Sequence, residues 1–138
     1  MAVLWLLNAL ALVFGAFLGA RGLVDPHWAA RLVRLQPDEQ GGGFAEFRAT
    51  YGGVFLGLHL GALFFTAKWL LGGEAVIGAM AAGAGATLAL GWAGAAGGRA
   101  LAIWRDAGAG TRFNKLSLAV EGALALTIGG PWLLWMLR

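Results

Sequence analysis

Four stretches of this chain carry almost no charge, and each is as long as a helix that crosses a bilayer. They run Ala2–Ala20, Ala49–Ala67, Ala75–Gly98 and Leu116–Leu137. An α-helix needs about 20 apolar residues to span the hydrocarbon layer. Inside that layer, backbone groups are satisfied only by helices or closed barrels. The stretches show no period-2 alternation, so barrel strands are not expected. The reading is an all-α four-transmembrane-helix bundle. Its spans cover about 2–20, 46–69, 75–104 and 115–137, within a single integral membrane domain, 1–138.

Composition agrees. Hydrophobic residues make up 59% of the chain and charged residues 12%, against about 45–50% and 25% in soluble domains. The absence of cysteine excludes disulfides, thiolate metal sites and a cysteine nucleophile. The net charge of +3 collects at helix ends. This suits a membrane surface rather than nucleic acid, and no nucleic-acid signature is present. Ala2–Ala20 reads as a retained span, because it lacks a basic n-region and Leu18 spoils the cleavage pattern.

Between the first two spans, Asp25-Pro26 reads as a helix start, with Asp as N-cap and Pro at N1. Trp28, Leu32, Val33 and Leu35, interrupted by Arg31 and Arg34, predict a short interfacial helix. An ordinary connector anchored by Trp28 is the alternative. Gly129-Gly130-Pro131 predicts a kinked or frayed last helix. Trp132 and Trp135 behind it suggest an aromatic belt.

Orientation follows from the basic residues. Arg21, Arg31, Arg34 and Arg48 border the first long loop, and Arg99, Arg105, Arg112 and Lys115 border the third. The opposite side has Lys68 and Arg138. The positive-inside rule puts both long loops in the cytoplasm and both termini on the non-cytoplasmic side.

Arg99 and Glu121 are the charges that demand an explanation. Arg99 lies six residues inside Arg105, and Glu121 six inside Lys115. At 1.5 Å per residue, each sits about 9 Å past its interfacial marker. Joined by a short loop, the last two spans become antiparallel neighbours, so an ion pair is expected. Glu46, Arg48 and Tyr51 open the second span on the same side, and Asp106 and Asn114 cap the layer from the loop. A polar lock that fixes helix register competes with a ligand-binding cluster as the explanation. General acid/base catalysis by Glu121 or Glu46 is a further reading, although no nucleophile–base pair or metal-ligand spacing accompanies them.

Arg48, His59 and Thr66 recur at near-whole helical turns. His59 suits an interhelical hydrogen bond, a proton relay or a haem ligand. With His27 in a loop, no bis-histidine haem forms within one chain, and no cofactor is expected. Small residues at four-residue spacing (Gly15 and Gly19; Gly53, Gly57 and Gly61; Gly94 and Gly98) allow close helix packing, within the chain or in a homodimer.

The series Asp25-Pro26, Glu46-Phe47-Arg48-Ala49-Thr50-Tyr51-Gly52-Gly53, Gly98-Arg99, Asp106 and Glu121 resembles the small bacterial membrane proteins grouped as domain of unknown function 4345. The outline also resembles DoxX-like four-helix membrane proteins. The first resemblance covers nearly the whole chain and implies four spans in a bacterial inner membrane. It implies no activity. The family pattern tends to place Gly directly after the loop Asp, where this chain has Ala107. The function expected is a non-enzymatic protein that binds membrane lipid or a lipophilic small molecule, or an accessory subunit of a larger membrane complex. The alternatives are a membrane enzyme using Glu46, Arg99 and Glu121, or a dimeric proton-coupled transporter.

Overall fold

The computed structural model describes residues 2–36, 38–40 and 42–137. Arg138 of the orientation argument lies outside them. The expected all-α, helix-bundle class holds. Helix α1 spans Ala2–Val24 and α2 spans Pro26–Val33. Helices α3 (Gly43–Leu70), α4 (Ala75–Arg105) and α5 (Arg112–Met136) follow. Four of them, α1, α3, α4 and α5, are long and apolar enough to cross a membrane.

The chain forms two compact units, one of Met1–Ala11 with Phe65–Arg138 and one of Leu12–Phe64. In the first, Trp5 is buried with Ala81 and Ala82, and Phe65 and Trp69 pack against them. Trp69 meets Trp5 at 5.9 Å between ring centroids and Trp135 edge-on at 6.1 Å. Trp135 is therefore half-buried in packing, while Trp132 is exposed, so the belt expected of both has different members doing different things. Helix α5 starts three residues before the expected Lys115. The Thr111 hydroxyl caps it by accepting from the Asn114 N–H at 3.2 Å. At its other end, α5 runs through Pro131 to Met136 without the fraying expected there.

In the second unit α1 and α3 are antiparallel. A Cβ on Gly15 would collide with the His59 ring, one on Gly19 would stand 2.5 Å from the Leu56 nitrogen, and one on Gly22 would stand 2.8 Å from the Tyr51 carbonyl oxygen. As the α1 number rises, the α3 number falls. Gly15 and Gly19 thus serve packing within the chain. Gly57, Gly61, Gly94 and Gly98 have nothing within 4 Å of a Cβ position.

The Glu-Phe-Arg-Ala-Thr-Tyr-Gly-Gly run is where α3 departs from an ordinary helix. Phe47–Val54 is wound as a wide π-type segment, a form that is rare and mostly limited to single turns. Gly52 is buried here, because a Cβ would stand 2.6 Å from the Leu23 backbone. Phe47 packs on Ala29 and Ala30 of α2. Helix α2 begins as expected: Asp25 caps it by accepting from the Trp28 N–H at 3.0 Å, and Pro26 follows. Trp28 and Val33 pack against the same cluster. Pro26, Ala29 and Ala30 are buried, while Leu32 and Leu35 face outward. The small residues let α2 approach Phe47 closely, which the bulkier leucines would not.

Candidate functional site

The Arg99–Glu121 pair forms as expected, in the unit that holds α4 and α5. The Arg99 Nε donates to Glu121 Oε1 at 3.1 Å and to Oε2 at 2.9 Å, and Nη2 donates to Oε1 at 2.6 Å. Both carboxylate oxygens are therefore engaged by one planar guanidinium, the strong geometry for this pair. Nη1 donates to Asn114 Oδ1 at 3.3 Å. The Asn114 side chain in turn donates to the Ala109 carbonyl at 2.8 Å, tying the pair to the α4–α5 loop. The Glu121 side chain is 10% exposed and that of Arg99 31%. The acid is sealed, and the base keeps one edge open.

Gly91, Gly94 and Gly98 recur along α4 on the flank of Arg99, are exposed, and have nothing within 4 Å of their Cβ positions. The arrangement offers a partly neutralised guanidinium beside exposed glycine positions of α4. It does not offer a free carboxylate, since Glu121 already accepts on both oxygens. Asp106, expected to cap this layer, instead ends α4 through its backbone: its N–H donates to Ala102 O at 2.8 Å, and its carbonyl accepts from Ala109 N–H at 3.1 Å. Its side chain is exposed at the loop. The turn's left-handed residue is Gly108, at φ +84°. Glycine is needed there, which is why Ala107 is tolerated one position earlier.

Glu46, Arg48 and Tyr51 belong to the other unit. Arg48 Nη1 donates to the carbonyl of Leu23 and to that of Val24. A guanidinium on the last carbonyls of α1 satisfies acceptors that a helix end leaves open. Tyr51 is exposed and its ring lies 5.4 Å from that of Phe47. Glu46 is exposed in the first turn of α3. His59 is fully buried over Gly15, its Nδ1–H donating to the Phe55 carbonyl at 2.7 Å.

A second polar site joins Thr66, which the sequence places in a stripe with His59, to Asn8, which it does not single out. Asn8 and Thr66 are both fully buried. Asn8 Nδ2 donates to the Ile128 carbonyl at 2.7 Å, and Thr66 Oγ1 donates to Asn8 Oδ1 at 3.0 Å. Ile128 stands next to Thr127, whose carbonyl would ordinarily be bonded by the N–H that Pro131 lacks. Gly85 makes room, since a Cβ there would stand 3.1 Å from Ile128 O and 3.4 Å from Asn8 Nδ2. The Asn8–Ile128 bond ties α1 to α5 one residue from the carbonyl that Pro131 leaves without its helical donor. A signal existed: Asn8 is the sole polar side chain of Ala2–Ala20. No protein-family model, curated protein or solved structure matches the chain.

Proposed function

We propose that this is a multi-pass protein of a bacterial inner membrane, with both termini on the non-cytoplasmic side, that holds a lipid or another amphiphile without transforming it. The observation that carries the reading is the one open edge of Arg99, flanked along α4 by the exposed Gly91, Gly94 and Gly98. A polar or anionic head on that edge, with a tail along the glycines, would be satisfied at both ends. The occupied carboxylate of Glu121 favours holding over proton transfer, because a general base needs a lone pair facing its substrate. The four long apolar helices support a membrane location, and the basic loops support the orientation.

Native mass spectrometry of the detergent-extracted protein tests this. The expected result is a retained amphiphile on the wild type and its loss from R99L/E121L at unchanged folded yield. Equal retention by the double variant would show that the pair is a structural lock alone. Reporter fusions at the C-terminus test the orientation: a cytoplasmic signal there reverses it.

A further inference from the structure

The hydrogen-bonding capacity left over at Arg99 and Glu121 is one-sided. A guanidinium carries five N–H donors, one on Nε and two on each terminal nitrogen, and no acceptor. The Nε–H is shared between the two Glu121 oxygens, one Nη2–H goes to Oε1, and one Nη1–H goes to Asn114 Oδ1. One N–H on Nη1 and one on Nη2 therefore have no acceptor among the described residues, on a side chain that stays partly open. The acceptors that Arg99 touches are spent. Both Glu121 oxygens accept from it, and that carboxylate is nearly sealed. The Asn114 oxygen accepts from Nη1, while its amide nitrogen donates to the Ala109 carbonyl.

Resting on the reading that an amphiphile is held at Arg99, we propose that its head is an oxoanion, a carboxylate or a phosphate, with no cationic group attached. An oxoanion presents acceptor oxygens alone, and a planar guanidinium is the side chain best suited to bind two of them. A head that must donate, such as an alcohol or an ammonium, finds no acceptor left for its hydrogen.

Charge selects in the same direction. The Arg99–Glu121 pair cancels, and Ala75–Met136 otherwise carries Arg105, Arg112 and Lys115 against Asp106 alone. All four are exposed at the loop end of α4 and α5. Arg105 stands six residues from Arg99, about 9 Å along the helix axis. A neutral carbonyl head would also accept from Arg99, but it gains nothing from this excess of cations, whereas an anionic head does.

Native mass spectrometry of the full chain in neutral detergent, titrated with amphiphiles that share one tail, separates the outcomes. Dodecanoate or dodecyl phosphate should bind saturably, and dodecanol about tenfold more weakly or worse. The tighter anion identifies the oxoanion that the site prefers. Folded R99L/E121L should lose that preference. E121Q removes the competing charge and keeps the guanidinium, so it should tighten the anions about tenfold and leave dodecanol unchanged. D106N removes the same charge from the exposed loop and should shift anion affinity by less than about twofold. Dodecanol binding as tightly as the anions, with all of it lost in R99L/E121L, overturns the oxoanion head and leaves the amphiphile site standing. An anion preference that survives in folded R99L/E121L, or equal effects of E121Q and D106N, assigns the selectivity to surface charge and overturns the proposal. No binding of any head to the wild type overturns both readings.

Discussion

Two polar clusters sit in the unit that contains α4 and α5, and they solve the same problem by opposite means. Arg99–Glu121 is charged, tied to a loop, and open along one side of the base. The Asn8–Thr66–Ile128 chain is neutral and wholly buried. Charge in a low-dielectric layer requires a partner of opposite sign, and losing that partner leaves an ion. A neutral amide requires only a donor and an acceptor, and losing one leaves a dipole. The charged cluster should therefore be the more costly to break singly and the easier to replace whole. Its open edge is also the only part of either cluster that a ligand could reach.

The largest effect expected follows from this asymmetry. Arg99→Ala should lower stability by about 3–5 kcal/mol, because it strands the buried Glu121 carboxylate, and Glu121→Ala should cost less, because Arg99 keeps one side open. Arg99→Leu with Glu121→Leu should recover most of that loss. Reversible unfolding in mixed micelles measures both. If the double variant is as unstable as the singles, the pair contributes net stability and the comparison fails.

Asn8→Leu should come next, at about 1–2 kcal/mol, the range for interhelical hydrogen bonds in membranes. It removes partners from two groups at once, the Thr66 hydroxyl and the Ile128 carbonyl. Thr66→Val should cost less, about 0.6 kcal/mol, since the Asn8–Ile128 bond survives. The two losses should not add when combined, because Thr66 acts through Asn8. Additive losses would mean that Thr66 stabilises by packing rather than through the network.

The four long apolar helices and the charged pair were legible because hydropathy and charge are local properties of sequence. Arg99 and Glu121 announced each other by matched depth. Asp25-Pro26 was legible because N-capping is decided within four residues. The Asn8 network was not, since its partners stand 58 and 120 residues away and one is a backbone carbonyl. The roles of Arg48 and Gly52 were hidden for a similar reason. Both depend on how closely the end of α1 approaches α3, and hydropathy does not encode that distance.

Arg21–Asp25 repeats the Arg99–Glu121 chemistry outside the spans, and it supplies the smallest expected effect. The pair is 3.3 Å apart with side chains 45% and 29% exposed, against 2.6 Å and 31% and 10% for the inner one. Water competes for the outer pair, so its Coulombic contribution is small. The Trp28 N–H, more than Arg21, holds the Asp25 carboxyl below its ordinary value. The folded state therefore favours the carboxylate. Its contribution is fully present above the unfolded value of about 3.9 and is lost as pH falls through the lower folded value. Hydrogen exchange across α2, corrected for intrinsic rate, should show protection falling below about pH 4. In Asp25→Asn the amide oxygen still caps the helix, so protection should persist near neutral pH and lose this acid dependence. An unchanged acid response in that variant would assign the titration to another carboxylate. The contrast with Arg99–Glu121 would then rest on burial alone.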